Sequence, residues 1–169
     1  MGKKLEIDRL KLSMTSTNPR EDVRGPILAV DLGQKRVGLA VSDELLISIT
    51  RLKALARTNW KQLLRELTEV VQQVNAKTLV VGLPLSLDGT EGSAAKTAQQ
   101  TARRFAQSLS LPVFLQDERL TSVAAAEQLR SAGYNPKEVQ QLIDSEAAAI
   151  MLADFIGSGE ARTRVSSSE

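Results

Sequence analysis

Two hydrophobic periods alternate along this chain, and that alternation restricts the folds open to it. Short apolar runs, Ile27-Leu28-Ala29-Val30, Val37-Gly38-Leu39-Ala40-Val41, Thr78-Leu79-Val80-Val81 and Pro112 to Gln116, have the length and β-branched content of strands. Elsewhere the spacing lengthens. Trp60, Leu63, Leu64, Leu67, Val70, Val71 and Val74 recur at i, i+3, i+4 and i+7, which predicts one apolar stripe on a helix starting near Thr58 or Asn59. Ala94, Ala95, Ala98, Ala102, Phe105, Ala106 and Leu109 mark a second helix. Strand, helix, strand in succession implies right-handed crossovers and a parallel part to the sheet. The early runs, joined by tight turns and followed by a further strand over Leu45 to Ile49, imply an antiparallel hairpin group. A helix from about Thr121 to Arg130 ends at Gly133, and Asn135-Pro136-Lys137-Glu138 then offers an N-cap, a proline at the first helical position and Glu at N3. The last helix therefore starts there and runs to about Phe155.

These elements fit one α/β domain over residues 26–156, and a chain of 169 residues with 42% hydrophobic content is large enough to bury its own core. Residues 1–25 and 157–169 lack a sustained period and are expected to be poorly ordered extensions. The first holds six Lys/Arg against four Asp/Glu, whereas residues 26–159 carry fourteen of each sign. The body is formally neutral, so any attraction for phosphate must come from local clustering or from bound cations. No apolar run reaches the length of a spanning helix and no apolar signal region opens the chain, so a cytoplasmic protein with no membrane partner is expected.

The chain has no His and no Cys. Thiolate catalysis, imidazole acid–base chemistry and His- or Cys-ligated zinc are thereby excluded. What remains is oxygen chemistry, and three acidic stations stand out. Asp31 ends an apolar strand just before Leu32-Gly33, where an open sheet places its ligands. Asp117-Glu118 follows a neighbouring strand directly, and alternation sends the two side chains to different faces, so one of them points at the site. At 100° per residue, Asp144 falls among Ala147, Ala148, Met151 and Phe155, inside an apolar face. A carboxylate there requires a partner, either an arginine or a divalent cation held by several oxygens. Lys35, Arg36, Arg51, Arg57, Lys96, Arg103, Arg104 and Arg119 are the candidate phosphate contacts. With 3% aromatic residues, little is left for a base-stacking platform.

The sequence resembles the YqgF/RuvX family of the ribonuclease H-like superfamily, whose members are described as Holliday-junction resolvases and as pre-16S rRNA nucleases. The resemblance rests on D-L-G-Q-K-R-V-G-L-A-V-S-D from Asp31, V-V-G-L-P-L-S-L-D-G-T-E from Val80, D-E-R-L-T from Asp117 and I-D-S-E-A-A-A from Ile143. It implies a ribonuclease H-like fold, a mixed five-stranded sheet flanked by helices, in which the three acidic stations converge. Many members of the superfamily carry an acid where this chain has Gly82. The second carboxylate then comes from Glu118, with Asp117 as the alternative. The resemblance implies Asp31, Glu118 and Asp144 as catalytic ligands of Mg²⁺ or Mn²⁺, with Lys35, Arg36 and Arg119 on the nucleic-acid backbone. The activity implied is endonucleolytic phosphodiester hydrolysis, with precursor ribosomal RNA as substrate, a DNA four-way junction as the alternative, and a non-catalytic nucleic-acid-binding protein of the same fold as the rival. The protein is expected to act as a monomer or homodimer.

Overall fold

The computed structural model describes residues 23–158 and 162–167. Most of the expected N-terminal extension, residues 1–22, lies outside the described residues. In chain order the elements are β1 (Ile27–Leu32), β2 (Arg36–Ser42), β3 (Ile49–Ala56), α1 (Trp60–Gln73), β4 (Thr78–Leu83), α2 (Ser93–Ser108), β5 (Val113–Asp117), α3 (Thr121–Ser131), α4 (Pro136–Gly157) and β6 (Thr163–Arg164). They build one mixed sheet in the order β3-β2-β1-β4-β5-β6. β1 to β3 form the antiparallel group, and β1, β4 and β5 run parallel.

Two expectations need correction. The sheet has six strands, because Thr163–Arg164 pairs antiparallel with Phe114 and Leu115. The contacts that hold this segment include Arg162, which lies over the Phe155 ring at 4.5 Å and donates to the Phe155 carbonyl at 3.0 Å, and Val165 N–H, which donates to the Val113 carbonyl at 2.8 Å. A two-residue strand leaves too short a pattern to detect in sequence. Leu45 to Ser48, in turn, is not strand; β3 begins at Ile49. The Asp43 carboxylate accepts from Ile47 N–H (2.6 Å) and Ser48 N–H (3.0 Å), and Leu46 takes φ 59°, so local turn chemistry overrides the apolar run.

Side-chain alternation sorts the strands between two helical layers. Leu28 and Val30, Val37 and Leu39, Leu79 and Val81, and Val113 face one way, onto Leu63, Leu67 and Val71 of α1 and Ala102 and Phe105 of α2. Ile27 and Ala29, Ala40, Val80 and Phe114 face the other way, onto Ala148, Met151, Leu152 and Phe155 of α4. α3 packs on α4 through Ala126, Leu129 and Val139. The starts of α1 and α4 follow from capping: the Asn59 side chain accepts from Gln62 N–H, and Asn135 and Glu138 complete a capping box with Pro136 in the first turn.

Parity then fixes the site. Continuing 27, 29 gives Asp31; continuing 80 gives Gly82; continuing 114, 116 gives Glu118. All three belong to the face that α4 covers, and Asp117 belongs to the opposite one.

Candidate active site: a carboxylate pair across a glycine

Asp31 sits at the end of the central strand β1, 8% exposed. Glu118 lies one residue past β5, two strands away, with β4 between them. The intervening position on β4 is Gly82. A methyl group there would overlap the Glu118 carboxyl and press on Met151 Sδ at 3.0 Å. Only a residue without a side chain lets Glu118 reach over β4 to Asp31. The space that a side chain on the fourth strand would take is thus filled by a carboxyl arriving from the next strand.

The two carboxyl groups are within hydrogen-bonding reach of one another, and Glu118 Oε2 is buried with no hydrogen-bond donor. Burial, then the Asp31 charge, pushes Glu118 up to about 8. Burial also raises Asp31; the hydrogen bond with Glu118 works against that rise, and the Asp144 charge adds to it. Two acids in this arrangement share a proton near neutrality or hold a cation in its place.

Asp144 comes from the first half of α4. Its carbonyl lies where a Cβ on Gly38 would be, so the glycine of β2 sets how closely the helix approaches the sheet. The next residue locks that approach: Ser145 Oγ donates to Leu52 at 2.8 Å and accepts from Leu39 N–H at 3.3 Å, beside the irregularity in β2–β3 pairing. Glu146 then pairs with Arg51 at 3.0 Å. Sequence reading passed over Gly38 and Ser145. The available signal was a glycine inside a strand, which marks close backbone approach, and a hydroxyl on an apolar helix face.

The Asp144 carboxylate itself is only partly covered; it lies beside Gly33 of the β1–β2 turn and pairs with Arg36 at 3.4 Å. Burial raises Asp144 and Arg36 pulls it back down. Asp144 acts on Asp31 through its charge, and among the described residues no three acids close into a ready-made cation cage. The structure therefore joins Asp31 and Glu118 directly and leaves Asp144 beside them, held by an arginine.

Asp117 is turned away and engaged. Its Oδ2 accepts from Arg119 Nε at 2.7 Å and pairs with Nη2 at 2.7 Å. Of the basic candidates, Arg36 is bound to α4 through Asp144 and the Gln140 carbonyl (3.2 Å), and Lys35 is exposed in the β1–β2 turn. Arg57 braces that turn from behind: Nη1 donates to the Gly33 carbonyl at 2.7 Å, and its N–H to Lys35 O at 2.9 Å. A groove of about 1090 Å³ runs from Arg36 along the outer edge of β3, past Arg51 and Lys53, between α1 and α4.

The donor set consists of hard carboxylate oxygens, one of them buried and orphaned, and this suits a divalent cation of the Mg²⁺, Mn²⁺ or Ca²⁺ kind. No helix among the described residues is long and apolar enough to cross a membrane.

Comparison with known proteins agrees with this architecture. A protein of Anaeromyxobacter sp. (strain K) named "Putative pre-16S rRNA nuclease" is 40% identical over 129 residues, covering 76% of this chain and 94% of its own. One of Gloeothece citriformis with the same name is 41% identical over 129 residues, 76% of this chain and 85% of its own. Among solved structures, Thermus thermophilus RuvC in complex with a Holliday junction substrate is similar at a TM-score of 0.51 and 17% identity, covering 81% of this chain and 98% of that one, which shows a shared fold. Residues 25–158 match the sequence model described as RuvX, Holliday junction resolvase, and the chain belongs to that family.

Proposed function

We propose that this protein is a divalent-cation-dependent endonuclease that hydrolyses phosphodiester bonds in precursor 16S ribosomal RNA. The observation that carries the proposal is the Asp31–Glu118 pair, a buried acid and a half-buried one whose Oε2 is fully covered, brought together over Gly82 where a proton or a cation would reconcile them. Relatives at 40% identity that bear the pre-16S rRNA nuclease name support the choice of substrate, and action on such a precursor would take place in the cytoplasm.

Asp31 and Glu118 would hold Mg²⁺ or Mn²⁺, with Asp144 as the third carboxylate. The bound ion supplies Lewis-acid stabilisation of charge developing on the phosphate oxygens. The chain's own residues do the rest. β1 and the end of β5 carry the two carboxylates, Met151 packs beside Glu118 over Gly82, and Arg57 holds the turn that presents Lys35 and leads into Arg36. Lys35, exposed in the β1–β2 turn, would receive a non-bridging phosphate oxygen, and the groove beside Arg36 and Lys53 would offer a track for the flanking backbone.

The test is single-turnover cleavage, with Mn²⁺, of an RNA spanning the 16S 5′ boundary and of a four-way DNA junction. Asp31→Asn, Glu118→Gln and Asp144→Asn are assayed beside the wild type. The reading requires RNA cleavage that each amide variant lowers by at least about 100-fold. Cleavage of the DNA junction alone would favour the resolvase activity in the family's description. Undiminished cleavage by all three variants would refute the site.

A further inference from the structure

Among the described residues, the large apolar side chains that stand in solvent fall into two groups. Leu45 and Ile47 lie in the β2–β3 turn, at the end of the sheet away from the carboxylates. Leu87 (76% exposed), in the β4–α2 loop that Arg119 bonds, and Leu120 (61%) and Val123 (60%), at the start of α3, follow the strand ends that carry Gly82 and Glu118. Single exposed leucines are commonplace on protein surfaces. Leu120 is different, because its backbone takes φ 64° as the N-cap of α3, with no side-chain capping bond. That conformation favours glycine or asparagine, and a cap favours a hydroxyl or amide. Leucine satisfies neither requirement. It is not buried, so the core does not explain it either.

The turn around it is built firmly. The Glu118 carbonyl accepts from Thr121 N–H (3.2 Å) and Thr121 Oγ1 (2.8 Å), which fixes Leu120 between the carboxylate and the helix. Leu120 and Val123, three residues apart, lie on one side of the first turn. Arg119, anchored on Asp117, reaches across to the Leu87 carbonyl at 3.4 Å and ties the β4–α2 loop to this turn. Arg119 thus links the backbone at Leu87 to the turn that carries Leu120, two residues after Glu118, and braces the two exposed leucines as one ridge. The acids beside the ridge, Asp88 and Asp117, make it a poor surface for phosphate, whereas apolar side chains suit the uncharged faces of bases.

We propose that this ridge, led by Leu120, is a wedge that receives the unstacked base next to the scissile phosphate. Apolar side chains used this way separate neighbouring bases at the point of insertion. The inference rests on the nuclease reading and sharpens its substrate class: nucleic acid whose nucleotide beside the cleaved bond is unpaired or easily unstacked, at the border of a single strand and a helix, in preference to continuous duplex.

The probe is an RNA hairpin with a single-stranded 5′ extension carrying 2-aminopurine at the border, titrated with protein in chelator so that no cleavage occurs. Wild type should raise the emission as the base leaves its stack. Leu120→Gly, which relieves the backbone, should melt no lower than wild type, lose most of that rise and bind the hairpin about tenfold more weakly. Leu45→Gly, at the far end, should change neither. The proposal falls if wild type gives no rise, if Leu120→Gly keeps it, if Leu45→Gly loses as much, or if Leu120→Gly alters the sedimentation of the protein, which would make the ridge a contact between copies. Unstacking by a wild type that cleaves no RNA or junction would refute the nuclease reading and leave the wedge standing. Cleavage by wild type with the rise intact in Leu120→Gly would do the reverse.

Discussion

Gly82 and Glu118 share one volume: the space that a side chain on β4 would fill holds the carboxyl group of a residue from the end of β5. This makes opposite predictions from propensity and from site geometry. Alanine in a buried strand is ordinarily preferred to glycine by about 0.5–1 kcal/mol. Here Gly82→Ala should destabilise the protein instead, push Glu118 off Asp31 and reduce cleavage by about 100-fold, the usual effect of an ångström-scale misplacement. In a Glu118→Ala background the same substitution should turn stabilising. Urea unfolding of the four proteins in that cycle reads the sign directly.

The close seat of α4 makes a second prediction. Ala148 is fully buried against the sheet one turn after Asp144. Ala148→Leu should destabilise by about 1–3 kcal/mol through overpacking. Because the helix must lift to admit the larger side chain, Mn²⁺ affinity should fall as well. Unfolding and calorimetric titration check the two effects, and an unaltered unfolding midpoint would show that this face of α4 does not bear on the sheet.

Acidity gives the third. In chelator, folded Glu118 is held near 8 against an ordinary value of 4.5, so the folded state keeps a proton that the unfolded chain gives up. Stability from this group is fully present below about 4.5 and is lost as pH rises through about 8. Asp43 and Asp88, held low by loop hydrogen bonds, contribute in the opposite sense and only below the ordinary carboxylate range, outside this window. The melting temperature should therefore decline from about pH 5 to about pH 8.5, and Glu118→Gln should flatten the decline. A decline unchanged in that variant would place its origin elsewhere.

Much of this was legible in the sequence, for reasons that can be named. α1 and α4 carry strong local signals, an apolar stripe in the first and a capping box in the second, and tertiary contacts reinforce them. Strand parity alone could have separated Glu118 from Asp117, since 114, 116 and 118 share a face. What local pattern could not give was the role of a missing side chain. Gly82 reads as a gap in an acidic motif, and its meaning appears only when the two strands beside β4 are in place. Asp144 shows the opposite limit: helical phase put it on the apolar face and its backbone does press on Gly38 of β2, but the carboxylate is only partly covered and Arg36, at the start of β2, takes it up. The short β6 and the turn at Asp43 likewise depend on contacts that no period records.

The central claim is that Asp31 and Glu118 hold a proton between them when no cation is bound and exchange it for one. Calorimetric titration with Mn²⁺ in buffers of different ionisation enthalpy counts the protons released. The account predicts release of about one proton per complex near pH 7, little release near pH 9, and a loss of binding in Glu118→Gln. Binding at pH 7 without proton release, or with the same release and affinity in Glu118→Gln, would contradict it.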